Sequence, residues 1–156
     1  MRWLSPEIAD GSATDALGLW CASQLGLPRP FENFAALGVF DGNELSAVVV
    51  YHNWYPENGV MELSCASTSP RWMTRPVLHE MFSFPFDRRG CQLVAMRVSE
   101  HNHTAEGRGL LRMSHAYGFE EHRIPRLRGR DEAEIIFTLT DDAWRANGFH
   151  KEHRNG

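Results

Sequence analysis

Apolar positions along the chain switch between helical and strand spacing, and each switch marks an element. From Ser12 or Thr14 to Leu25 the spacing is helical, with Leu17, Trp20, Cys21 and Leu25 on one face, and Gly26 and Pro28 then stop the run. Two strand-like runs follow, 35–40 and 45–54, joined by Asp41-Gly42-Asn43; Asp-Gly between apolar runs is a strong hairpin signal. A third run, 60–68, comes after the turn Pro56-Glu57-Asn58-Gly59, and the three predict an antiparallel meander. Pro76, Val77, Leu78, Met81, Phe82 and Phe86 return to helical spacing, with Pro76 suited to the first turn and Pro85 expected to kink or end the helix. Residues 93–99 predict a strand and 104–117 a helix carrying Leu110, Leu111 and Met113. Residues 119–124 and 134–139 predict two more strands around a polar, Arg-rich connector. The order α, β, β, β, α, β, α, β, β is that of an α+β domain, a mixed and mostly antiparallel sheet flanked by helices.

A length of 156 residues makes one domain the expectation, 1–156, with the tail 146–156 loosely ordered. Apolar residues at 42% and charged residues at 23% exclude global disorder. No apolar run approaches the ~20 residues of a membrane helix, and Met1-Arg2-Trp3-Leu4-Ser5-Pro6-Glu7 lacks the hydrophobic stretch of a signal peptide. A cytoplasmic protein without membrane contact is expected. The net charge of −4 disfavours a general nucleic-acid binder. The basic residues are fifteen arginines and Lys151, so local anion sites remain open through the planar guanidinium fork. Cys21, Cys65 and Cys91 form no CxxC, which points to buried free thiols rather than disulfides or a thiolate zinc site.

Several pieces of the chain, in order, resemble the GNAT superfamily of acyl-CoA-dependent N-acyltransferases. They are the hairpin Gly38-Val39-Phe40-Asp41-Gly42, the junction Ser69-Pro70-Arg71-Trp72-Met73-Thr74-Arg75-Pro76-Val77-Leu78, the segment Val98-Ser99-Glu100-His101-Asn102, and Leu110-Leu111 before Tyr117-Gly118-Phe119-Glu120-Glu121. The terminal strand running into Asp142-Ala143-Trp144-Arg145 completes the set. The match spans 31–149 and looks nearest the branch of ribosomal-protein N-terminal acetyltransferases and their phage-encoded relatives. One departure stands out. The superfamily's phosphate loop usually reads Gln/Arg-x-x-Gly-x-Gly/Ala, whereas here Thr74 and Pro76 take the two small positions when Arg71 is the anchor, and anchoring on Trp72 supplies no glycine either.

The resemblance implies transfer of acetyl from acetyl-CoA to a primary amine by direct attack in a ternary complex, with no metal. The pyrophosphate would sit at a helix N-terminus formed by Trp72, Met73, Thr74 and Arg75, with charge-assisted bonds from Arg71 and Arg75. Pantetheine would lie along the splayed edge Ser64-Cys65-Ala66-Ser67-Thr68, with Asn102 opposite and a backbone N–H near Cys65 or Ala66 polarising the thioester carbonyl. Glu62 falls where many relatives place the base. The tyrosine acid of many relatives is replaced by Ser114, leaving His115 or Tyr117 as substitutes. Each residue also has a plainer reading: solvated arginines on a capped helix, Asn102 as N-cap or turn former, Glu62 as a solvent-facing carboxylate, Tyr117 as core.

Cys65 invites a nucleophile reading, although strand cysteines commonly just pack. His101, His103, His79, His115 and His122 lack partners at zinc-ligand spacing. Arg123, Arg126, Arg128 and Arg130 suit an acidic substrate, nucleic acid or the 3′-phosphate of CoA, or else form a solvated loop offset by Asp131, Glu132 and Glu134. The competing functional class is a catalytically silent GNAT-like module that binds acyl-CoA or a protein partner. The acceptor is open between small molecule and protein, its expected walls are 53–58 and 123–130, and a homodimer is compatible because many relatives dimerise.

Overall fold

The computed structural model describes residues 1–7, 11–101 and 114–149. Its strands are β1 (Arg2–Leu4), β2 (Ala35–Asp41), β3 (Glu44–Tyr55), β4 (Val60–Ser67), β5 (Leu93–Ser99), β6 (Glu120–Gly129) and β7 (Glu132–Thr140). They form one sheet in the order β1-β2-β3-β4-β5-β7-β6. Every pairing is antiparallel except that of β4 with β5. That parallel pair is short, running from Val60↔Leu93 to Leu63↔Met96, and beyond it the strands part. This is the fold class the alternating pattern predicts.

Three labelled helices flank the sheet: α1 (Gly11–Leu25), α2 (Arg75–Ser83) and α3 (Asp141–Ala146). Side chains alternate along each strand, so one sheet face collects Val49, Leu63, Met96 and Phe137 against α2 and Trp144. The other face packs Ala36, Val48, Val50 and Ala66 against Leu17 and Cys21 of α1. Ala47 through Tyr51 of β3 are consequently buried without a break, the pattern of a strand covered on both faces. Among the described residues no helix is long and apolar enough to cross a membrane.

Several expected elements shift. β1 is too short to show a period, yet it pairs with β2 through Trp3↔Val39. The buried face of α1 is Leu17, Gly18, Cys21 and Ala22, with the ring of Phe34 packed on Gly18, and Leu25 at the end of the helix is exposed. The helix of α2 gives way at Pro85 to a wide turn, Phe84–Arg88, since proline cannot supply the next ladder hydrogen bond. The Arg-rich connector is strand: β6 runs through Pro125 to Gly129. An edge strand tolerates proline, and Arg126 at φ 66 accompanies a register shift between Ile124 and Gly129. Of the expected helix 104–117, residues 114–117 are helical and 104–113 lie outside the described residues.

Phe82 joins the layers, with ring centroids 5.2 Å from Tyr117, 5.7 Å from Phe119 and 6.5 Å from Phe86. Phe82→Ala should lower the unfolding free energy by about 3–5 kcal/mol in denaturant titrations. A loss below about 1 kcal/mol would show that this aromatic layer adds little to the core.

Candidate active site

Where β4 and β5 part, a cleft of 560 Å³ opens, within the usual size of a small-molecule site. Ser64, Cys65, Ala66 and Ser67 line it, each still paired to β3 on one side and, among the described residues, to no strand on the other. Arg97, Val98 and Ser99 form the opposing edge, held by β7. On the α2 side the walls are apolar: Trp72, Met73, Leu78, Met81, Phe82 and Met96. On the α1 side they include Phe31, His52, Glu62 and Arg97.

The turn from β4 into α2 positions the expected anion site. Ser69 caps a short turn, Pro70–Trp72, by accepting from the Arg71 N–H. Thr74 caps α2, its Oγ1 accepting from Val77 N–H at 3.4 Å. Thr74 N–H donates to the Trp72 carbonyl and Leu78 N–H to the Thr74 carbonyl, both at 2.9 Å. Pro76 has no N–H. Thr74, Val77 and Leu78 therefore spend their amides within the protein. Trp72 is buried as a cleft wall, Met73 is half-buried beside it, Arg71 is exposed, and the Arg75 guanidinium lies 4.6 Å over the Phe149 ring.

Glu62 projects toward the α1 side and is held from three directions. Asn53 Nδ2 donates to Oε1 at 3.1 Å, Arg97 Nε stands 3.5 Å from Oε1, and His52 Nε2 stands 3.6 Å from Oε2. His52 Nε2 also shares a hydrogen bond with Ser64 Oγ at 2.8 Å. Burial pushes the His52 imidazole below its ordinary range; Glu62 opposes this and Arg97 adds to it. Neither His52 nor Asn53 is marked by a sequence motif. The available signal is register, since the β3–β4 hairpin sets His52 opposite Glu62.

The expected proton donors lie elsewhere. Tyr117 is buried among Phe82, Phe119 and Phe149, and its hydroxyl accepts from Trp144 Nε1–H at 3.0 Å. Burial pushes its phenol up to about 12. Ser114 is buried, and its carbonyl accepts from the Gly118 and Phe119 N–H groups. Neither is among the described residues lining the cleft. Asn102 lies outside the described residues. The Cys65 thiol is raised by burial, which keeps it protonated and suits packing rather than nucleophilic attack. Arg123 pairs with Glu100 at 2.8 Å, and Arg128 pairs with the buried Glu134 at the cleft rim. Among the described residues no three His, Cys, Asp or Glu side chains gather as a metal site.

No protein-family model matches the chain, and no curated protein matches it in sequence. Solved structures share its fold. A protein from T. thermophilus assigned as an acetyltransferase superposes with a TM-score of 0.60 at 17% identity, over 85% of this chain and 70% of that one. The yncA protein of Salmonella typhimurium, likewise assigned and solved with its cofactor acetyl-CoA, gives 0.62 at 13%, over 89% and 92%. The spermidine/spermine N-acetyltransferase SpeG from Vibrio cholerae gives 0.59 at 12%, over 74% and 73%. The mixed sheet flanked by helices is thus the acyl-CoA N-acyltransferase (GNAT) fold.

Tyr117→Phe removes the hydroxyl that accepts from the buried Trp144 indole and should cost about 1–3 kcal/mol in denaturant unfolding, with affinity for acetyl-CoA unchanged in calorimetry. A stable variant with weakened acetyl-CoA binding would return Tyr117 to the site.

Proposed function

We propose that this chain is an N-acetyltransferase that moves acetyl from acetyl-CoA to a primary amine within a ternary complex. The observation that carries the reading is the opening between β4 and β5, which joins an apolar channel on one sheet face to a polar cluster on the other. The residues fit such a donor. Ser64–Ser67 present an unpaired strand edge to the polar pantetheine arm, as an added strand would need, and Trp72, Met73 and Leu78 cover its apolar parts. A backbone N–H at Cys65 or Ala66 would polarise the thioester carbonyl. Arg71 and Arg75, beside the start of α2, would hold the pyrophosphate.

The amine would approach from the α1 side, where Glu62 supplies the carboxylate of the deprotonating group. The thiolate proton donor is unassigned. The rival reading, a silent acyl-CoA or protein-binding module, is favoured by the α2 start, whose Thr74, Val77 and Leu78 amides are already bonded internally.

Calorimetry with acetyl-CoA decides first, with desulfo-CoA and ATP as controls. The expected result is micromolar binding that needs the pantetheine arm, weakened tenfold to hundredfold by Arg71→Ala, the scale of about 1.5–3 kcal/mol for hydrogen bonds to charged groups. No binding up to millimolar would favour the silent module. In turnover with an amine panel, Glu62→Gln should lower kcat and leave acetyl-CoA affinity near wild type. Unchanged kcat would remove Glu62 from the chemistry.

A further inference from the structure

His52 stands on the polar side of the opening with its side chain 12% exposed and its ring 5.1 Å from that of Phe31. A bulge in β3 assembles its surroundings. His52 pairs with Glu62 and Tyr55 with Val60, so Asn53 and Trp54 both stand opposite the single Met61. In regular strand Asn53 would point away from His52. Instead it adopts φ 48, the left-handed region, and its amide reaches the same carboxylate as His52. Strained backbone of this kind persists where its surroundings enforce it, and it gathers at working sites. The bulge leaves Glu62 gripped through Oε1 by Asn53 and Arg97, while the Ser64 hydroxyl bridges His52 Nε2 to the unpaired edge of β4. The groups facing the ring are Phe31 ahead of β2, Asn53 on its own strand, Ser64 and Glu62 from β4, and Arg97 from β5; the charged ones are Glu62 and Arg97.

We propose that His52 Nε2, working through the Ser64 hydroxyl, takes the proton from the acceptor's ammonium, and that Glu62 holds the resulting imidazolium. This rests on the acetyltransferase reading above and names the atom that accepts the proton. Ser64 Oγ passes its hydrogen to Nε2 and receives one from the ammonium nitrogen, which becomes a neutral amine. The freed electron pair forms the C–N bond to the thioester carbonyl carbon. The C–S bond breaks with its electrons on sulfur, and the nitrogen's surplus proton passes to that sulfur. The products are the amide, the CoA thiol and imidazolium, which returns its proton to water. Burial agrees with this role, since it favours the neutral imidazole, against the opposing pull of Glu62.

The test uses the full chain, acetyl-CoA and an amine panel that includes spermidine and glycinamide, with ring ¹⁵N NMR of the histidines alongside. In wild type, kcat/KM should fall in acid with a midpoint below the ordinary imidazole value of about 6.5, and His52 Nε2 should carry no proton at pH 7.5. His52→Gln should lower kcat roughly 100-fold, the lower end of general-base effects, and abolish the acid limb without changing acetyl-CoA affinity. Ser64→Ala, a smaller change to the fold, should lower kcat and keep the limb. Glu62→Gln should keep the limb and move it to lower pH, because the carboxylate that favours imidazolium is gone. A limb lost in Glu62→Gln but kept in His52→Gln, a His52→Gln kcat within about threefold of wild type, or a protonated Nε2 at pH 7.5 overturns the proposal alone. Wild-type protein that binds no acetyl-CoA overturns the acetyltransferase reading and this inference with it.

Discussion

Beyond Leu63 and Met96 the parallel pair of the sheet comes apart, because each central strand stays in register with its outer neighbour. β4 follows β3 to Ser67 and β5 follows β7 to Ser99. Backbone groups on the inner edges are then left facing a gap, and buried backbone groups need partners. A parallel pair also forces a long crossover between its strands. Here residues 70–92 make that crossover on the apolar face, so α2 starts where β4 ends, at the lip of the gap. The unpaired edges, the apolar wall and the helix start all follow from one short pairing.

The two faces of the opening differ in what they can solvate. On the α2 side, Trp72, Leu78, Met81 and Phe82 are buried and offer shape and dispersion contacts. On the α1 side, His52, Asn53, Ser64, Glu62 and Arg97 bond to one another across three strands. A thioester placed between them would have its chain in the apolar half and its reacting carbon next to the polar half. On the polar side a hydroxyl and a carboxylate both approach one imidazole nitrogen, His52 Nε2, from Ser64 and Glu62.

Much of this was legible in the residues. Alternation and the Asp41-Gly42 turn fixed β2, β3 and β4, and of the expected edge, 64–68, all but Thr68 line the cleft. What escaped depends on partners distant in sequence. β1 has three residues and takes its stability from β2. β6 continues through Pro125 because it is the last strand of the sheet among the described residues, a fact about sheet order and not about the segment itself. Spacing to Gly118-Phe119 points to Ser114 and offers Tyr117 as a substitute donor or as core, and Trp144 and Phe149 close over Tyr117. The bulge at Asn53 carries no glycine to announce it, so His52 and Asn53 join Glu62 only once the pairing of β3 with β4 is known.

The turn into α2 shows a trade between holding a helix and holding an anion. A glycine-rich loop leaves its amides pointing outward, where an anion can accept from several at once. Here Thr74 caps Val77 with its own hydroxyl, an interaction typically worth about 1 kcal/mol, and Pro76 presets the first turn while removing an amide altogether. These choices steady the helix start and thin the amide cradle. Recognition of a pyrophosphate at this lip would then fall chiefly to the Arg71 and Arg75 guanidiniums. Side-chain charges at an exposed site are screened by salt more strongly than buried ones. An anion bound here would therefore be held by charge more than by geometry, and its specificity would come from the apolar channel and the unpaired strand edge beyond it.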